Sequence, residues 1–512
     1  MHRLLSKHQP LILAGVSLFT LLATVLAFNP KPDWADDGEY IVLARSIANG
    51  QWMREINHPE SPRSTKFPFG FPLLLAMVEK ISQGNLLAMK SLVVAFFVAA
   101  APLIYLLAKR YVNPWWALAM TLLSILNPFL LSFSHQVMTE VPYLFFSILS
   151  LLFAEDLAEY GRTPAIVVAV VLILATTLRS IGVSLSAGVI AFLFWRREGR
   201  KAAQVAILYV VGILLFHLMR TGIFGSFYLS LIGGLEPGTA WSPHVPLPDL
   251  MRRMLSNLQQ YGLGRIPLVV LPIPSGFVGA LSLLMARVVN LILVAVLLVG
   301  LGIQLFRRQA TVAYFLCYLG GVFLFPADLS TSRYLVPVIP LLLLFLASGL
   351  QALSEMLARR SGRMVVSAAL LACFSLIVGL YFYFDVRFQT TGETPRVLSY
   401  LKAADWAREN LPPEAVILVR KPHFFYLISH QKTVGFIPSS HPDVPSSDPE
   451  TIMGLIRRYK VNYMVVDNVV RGRPVGPSAS LVRTIKDHPG TFELVYRVGG
   501  EISTFIFRVR VS

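Results

Sequence analysis

Runs of mostly apolar residues long enough to cross a bilayer recur along this chain; a helical span needs about 20 of them. They fall at roughly 10–28, 86–108, 115–132, 141–159, 164–178, 181–197, 202–222, 279–305, 310–327, 335–354 and 364–384. A water-soluble core cannot absorb so many. The composition agrees: of 512 residues, 55% are hydrophobic and 14% charged, with mean hydropathy +0.63, against about 25% charged in soluble domains. The expected fold is mainly α, a polytopic helical membrane protein with about eleven spans. The first run follows Arg3 and Lys7 as a signal peptide would. It is long and no small-residue cleavage site follows it, so it is read as a retained span.

The net charge of +17 does not point to nucleic acid, because the basic residues sit mostly in short segments between apolar runs. There they fit anionic lipid and the positive-inside bias. Lys109 and Arg110, then Arg196, Arg197, Arg200 and Lys201, then Arg307 and Arg308, then Arg359, Arg360 and Arg363 follow the second, sixth, eighth and tenth spans. The loop with Glu155, Asp156, Glu159 and Arg162 breaks the pattern, but acidic residues count for little in this bias. That bias predicts a multi-pass protein of the cell's inner (plasma) membrane with a cytoplasmic N-terminus. An odd number of spans then puts the C-terminal part outside, periplasmic or extracellular. The cysteines, Cys317 and Cys373, lie in apolar runs and form no metal-ligand spacing.

Two divisions are expected: a membrane domain over 1–384, with outer loops at 29–71 and 223–276, and a small α/β domain over 385–512. In the second, Pro395–Asn410, Glu450–Tyr459 and Ser478–Lys486 read as helices. AVILV from Ala415, VNYMVVD from Val461, FELVYRV and STFIFRVRV read as strands. The second outer loop carries an amphipathic helix near Leu250–Tyr261. No GxGxxG or P-loop occurs.

The first outer loop concentrates acids: Asp33, Asp36, Asp37 and Glu39 precede a helix over Ile41–Ala48 lying on the membrane surface. A carboxylate there can act as general base toward a hydroxyl, and two adjacent ones can hold a divalent cation. Acids also favour a helix start for purely structural reasons. His58 sits in a loop, where a single histidine is usually no metal ligand, and Trp115–Trp116 reads as an interfacial belt.

The run DDGEY followed by ARSIANGQW resembles the first-loop motif of C-type membrane glycosyltransferases, similar to bacterial aminoarabinose lipid A transferases and protein O-mannosyltransferases. TKFPFGFPLLLA (from Thr65), SHQVMTEVPYLFF (from Ser134) and SRYLVPVIPLLLL (from Ser332) resemble three further motifs of that family in the same order. The resemblance implies an inverting transfer of a sugar from a polyprenyl-phosphate donor to a lipid, glycan or protein acceptor at the outer face. It implies Asp36 as the catalytic aspartate with Asp37 as its acidic neighbour; any metal would fall to this pair. It also implies donor contacts from Lys66 and from Arg333 with its neighbour Tyr334. Arg179, at a turn between two spans, is a third cation for the phosphate, with snorkelling to the interface as the alternative. Glu39, Tyr40 and Glu140 complete the candidate substrate site, with His135 flanking the same turn as Glu140. A transporter or flippase of lipid-linked sugars, or a polysaccharide polymerase or ligase, are the competing functions. No internal repeat supports the transporter.

Overall fold

The computed structural model describes residues 8–31, 36–64, 66–221, 247–272, 283–324, 331–361, 363–390, 395–437 and 447–510. Asp33, Thr65 and the stretches 222–246 and 273–282 of and beside the second outer loop lie outside them.

Among the described residues, seven helices are long and apolar enough to cross a membrane by length and composition. They are Gln9–Ala27, Leu86–Ala108, Glu140–Glu159, Gly199–Phe216, Leu284–Phe306, Ser332–Arg359 and Met364–Asp385. Four shorter apolar helices, Pro114–Leu126, Ala165–Leu178, Gly182–Trp195 and Ala310–Phe323, fill the remaining expected positions. Ion pairs divide their connections between two ends of the bundle. Arg110 meets Glu155 at 3.1 Å and Arg196 meets Glu159 at 3.5 Å. At the other end Asp36, Glu140, Arg179 and Arg333 meet. Arg307 and Arg308 line the same cleft as Arg110, Glu155, Glu159 and Arg196.

Several boundaries differ from expectation. The run at 115–132 breaks at Asn127, which separates Pro114–Leu126 from the short helix Pro128–Phe133. The Asn127 Oδ1 accepts from the Phe129 and Leu130 amides at 3.1 and 3.2 Å, a cap that also permits proline at the first helical position. Its amide group donates to the Val269 carbonyl at 2.7 Å, so the cap also fixes a distant segment. The run at 335–354 begins as a 3-10 turn over Ser332–Val338, where Pro337 has no amide to give an α-helical ladder. The last apolar helix runs Arg363–Thr390, past the end expected at 384. Where Leu283–Phe306 crosses Ile339–Ser361 the backbones nearly touch: a Cβ on Gly300 would collide with the Phe345 carbonyl, and Gly349 is as tight against Val296. Without water to drive helix association, such small-residue crossings supply the packing.

Toward the C-terminus six strands form one mixed sheet in the order β2-β1-β3-β6-β5, with β4 beside β3. They are β1 Val416–Val419, β2 Lys432–Gly435, β3 Tyr463–Val470, β4 Arg473–Pro474, β5 Phe492–Gly499 and β6 Ile502–Val509. β1 pairs parallel with β2 and β3; β6 pairs antiparallel with β3 and β5. Period-two alternation sends Leu418, Met464 and Val466 to one face, against helices Pro449–Arg458 and Ser478–Asp487. Ile417, Val419, Tyr463 and Val465 face the helix Pro395–Asn410. Strand β2 and the helix Pro422–Ser429 before it were not expected from the sequence.

Candidate functional site

The first-loop helix starts at Asp37 and runs to Ala48, with Asp36 as its N-cap and the acids Asp37 and Glu39 in its first turn. It does not lie exposed on a membrane surface: every residue from Asp37 to Ala44 is buried. One side packs on Gly70–Ser82, where the Tyr40 ring sits 4.4 Å from Phe67 and edge-on to Phe71 at 5.2 Å. The aromatic–proline run thus serves to lay Lys66 along the helix start. The Lys66 Nζ donates to Glu39 Oε2 at 2.7 Å and lies 4.7 Å over the Phe67 ring.

The other side of the loop helix receives the helix Pro422–Ser429 from the sheet region. A Cβ on Gly38 would lie 3.0 Å from the Phe424 nitrogen, 3.2 Å from its Cα and 3.4 Å from the His423 carbonyl carbon. All three are backbone atoms and cannot swing aside, which gives the glycine of DDGEY a steric reason. Gly38→Ala is expected to cost about 1–3 kcal/mol as an overpacked contact. Gly454→Ala, in a helix where a Cβ meets nothing within 4 Å, should be neutral or stabilising. Melting curves of the detergent-solubilised variants check this, and equal behaviour of the two would dismiss the close approach.

Three further turns deliver charge to the Asp36 corner. Helix Glu140–Glu159 begins with Glu140, fully buried. Helix Ala165–Leu178 ends on Arg179 in an extended conformation, and the next helix starts so close that a Cβ on Gly182 would sit 2.6 Å from the Thr176 Cα. That tight reversal turns Arg179 inward: its Nη1 lies 2.7 Å from Glu140 Oε1 and donates to Thr139 Oγ1 at 3.1 Å. The 3-10 turn presents Arg333, whose Nε donates to the same Glu140 oxygen and whose Nη1 donates to Asp36 Oδ2 at 2.7 Å. Two guanidiniums therefore share one buried carboxylate, which fixes their spacing. Tyr40 Oη lies 3.5 Å from Thr139 Oγ1, and the Tyr334 ring lies 6.0 Å from the Arg179 guanidinium carbon.

The structure thus brings together Asp36, Tyr40, Glu140, Arg179, Arg333 and Tyr334 as one network, with Lys66 and Glu39 joined beside it. Asp37 is fully buried, and both it and Asp36 are near enough to Lys421 to interact electrostatically. His58 packs edge-on to the Tyr459 ring at 4.6 Å. His135 is held down to about 4 by burial and by the neighbouring Lys90 charge, so it is neutral at physiological pH and offers no cation. Trp115 is half exposed at the opposite end of the bundle.

Burial pushes the Asp36 carboxyl up, but Lys66 and Arg333 outweigh it and hold the group well below the usual carboxylate range. For Lys66, burial disfavours the ammonium while Glu39 and Asp36 favour it more strongly, so its pKa is raised and the charge is secure. Sequence reasoning missed Lys421, His423, Glu55 and Lys90. Lys90 is fully buried and donates to the Asn29 carbonyl at 2.8 Å. Its signal was a lone ammonium within an apolar run, which is costly in a membrane and so asks for a partner. The other three gave no local signal.

No family profile matches the chain, and no curated protein sequence does. Solved structures do. The archaeal oligosaccharyltransferase AglB from Archaeoglobus fulgidus, in complex with an inhibitory peptide and a dolichol-phosphate, superposes with TM-score 0.59 at 15% identity. The match covers 89% of this chain and 69% of that one. ArnT from Cupriavidus metallidurans, bound to undecaprenyl phosphate, gives TM-score 0.55 at 12% identity over 98% of both chains. Its apo form gives 0.59. The fold is that of the C-type (GT-C) membrane glycosyltransferases. Identity this low carries the fold alone. The expected resemblance, mainly helical with many apolar spans and a small mixed sheet packed with helices, stands as such.

Proposed function

We propose that this protein is an integral membrane glycosyltransferase that moves a sugar from a polyprenyl-phosphate donor to an acceptor hydroxyl. The observation that carries the reading is the Asp36–Arg333 contact: a carboxylate and a phosphate-binding type of cation, 2.7 Å apart, at one end of a GT-C fold. The ArnT and AglB structures that share this fold hold undecaprenyl phosphate and dolichol-phosphate.

In this reading the acceptor oxygen attacks the anomeric carbon from the face opposite the phosphate. The carbon–oxygen bond to the phosphate breaks, and the sugar inverts. Asp36 takes the hydroxyl proton; polyprenyl phosphate leaves with the bonding pair. Its growing charge is met by Lys66, Arg179 and Arg333. While Arg333 is bound to it, Asp36 is a weak base, because its pKa is depressed. A donor phosphate that draws Arg333 toward itself removes that stabilisation and raises the basicity of Asp36. The base therefore becomes competent when the donor is in place. Glu140 acts by holding both arginines rather than by touching the sugar. Reconstituted protein with a radiolabelled polyprenyl-phosphate sugar tests the reading: label should leave the lipid for an acceptor, one polyprenyl phosphate per sugar. Movement of intact donor across the bilayer without bond cleavage would favour the flippase instead.

The site end of the bundle is proposed to face outward, with the N-terminus in the cytoplasm. Arg110, Arg196, Arg307 and Arg308 gather around one cleft away from the Asp36 corner, which fits the positive-inside bias. Reporter fusions after Arg200 and after Asn410 should report opposite sides, the first cytoplasmic. Signals from the same side would break the eleven-span count.

A further inference from the structure

Glu39, Glu55 and His423 come from three separate places: the first-loop helix, the extended loop behind it, and the helix Pro422–Ser429. Their ligand-type atoms all lie within 4.8 Å of one another. All three residues are more than nine-tenths buried. The His423 Nε2 is buried with no hydrogen-bond partner, and Glu55 Oε2 is 3.7 Å from it, too far to accept a hydrogen bond. A buried ring nitrogen near two carboxylates, with no hydrogen bond of normal length, leaves room for an ion among the three.

We propose that these three side chains form a divalent transition-metal site, with Zn²⁺ as the ion their chemistry fits. An imidazole and two carboxylates suit Zn²⁺, whose bonds to nitrogen and oxygen are about 2.0–2.2 Å. Tetrahedral bonds of that length place ligands roughly 3.3–3.5 Å apart, so the present separations close by small side-chain rotations. Mg²⁺ fits badly, since it prefers six oxygens and keeps its waters. The ion has to share Glu39 with Lys66, which now holds it at 2.7 Å. Lys66 also has Asp36 and, more weakly, Glu55 as carboxylate neighbours.

The site pins the loop to the sheet region where other bonds already join them. The Thr433 amide donates to the Asn57 carbonyl at 2.8 Å, and the Lys432 Nζ donates to the Ile56 carbonyl at 2.6 Å. It is a different place from the Asp36–Asp37 pair expected to take any metal, because Arg333 occupies Asp36.

The test uses untagged full-length protein in detergent, stripped by a chelator and titrated with ZnCl₂, and with CoCl₂ as a spectroscopic substitute. One equivalent of Zn²⁺ per chain is expected, not displaced by millimolar Mg²⁺. Glu55→Gln and His423→Gln should each weaken it by at least about ten-fold, the loss that even outer partners of a ligand cause. Glu501→Gln, which breaks only an exposed pair with Arg471, should not. X-ray absorption at the zinc edge of the wild-type protein reads the ligands even where a variant fails to fold; one imidazole with oxygen donors is expected. No stoichiometric uptake by the folded wild type, a spectrum showing sulfur or several imidazoles, or full binding in both variants overturns the site. None of these outcomes bears on sugar transfer by Asp36.

Discussion

Asp36→Asn protein should insert, fold and bind a polyprenyl-phosphate sugar, yet transfer it about 10²–10⁴-fold more slowly, the range that base catalysis supplies. The amide keeps the shape of the carboxylate and its place as N-cap of the loop helix. What it loses is the proton acceptor and the charge that faces Arg333. Removing that charge frees Arg333 from one of its two carboxylates, so donor binding should hold or tighten while the chemical step collapses. Single-turnover rates with saturating donor, beside donor affinity measured separately, separate the two effects. Transfer within a few-fold of wild type would take Asp36 out of the chemistry. Asp37 is no easy replacement, because it is fully buried. Glu39 is already engaged by Lys66.

How much of this was legible beforehand differs by residue. The helices were readable because an apolar run about twenty residues long has few other fates. Asp36, Lys66, Arg179 and Arg333 could be grouped because each falls at the same parity of crossing, and parity is a sequence property. Their partners were not readable. Glu140 could be assigned to the site but not its task there; that it is fully buried and grips two arginines depends on three turns converging. Lys421, His423 and β2 were invisible for a stronger reason. Asn57 and Thr433, which bring them to the first loop, are separated by 376 positions, and no local pattern encodes a docking at that range. Asn127 was missed because its run is apolar enough to pass as one helix, and only the Asn-Pro pair marked the break.

Arg333→Met should behave differently from Asp36→Asn, and the contrast is the sharper test of the arrangement. Methionine keeps much of the apolar stem and loses the guanidinium. The donor phosphate then loses a contact that exists both before and during transfer, so affinity and turnover should fall together. Glu140 keeps Arg179 at 2.7 Å and is not left as a bare buried charge, so the protein should still fold. Asp36 loses the Arg333 cation that helps hold its carboxyl low, while Lys66 remains. Its pKa therefore rises toward the ordinary carboxylate value. The acid limb of the transfer rate, set by protonation of Asp36, should move to higher pH: activity is lost as pH falls through that pKa, and a higher pKa is met sooner. A binding assay with the lipid donor and a pH–rate profile on the same preparation read both effects. Weakened binding with an unmoved acid limb would mean that Arg333 serves the phosphate but does not govern Asp36. Unchanged binding would remove it from the donor site and leave Lys66 and Arg179 to carry the phosphate.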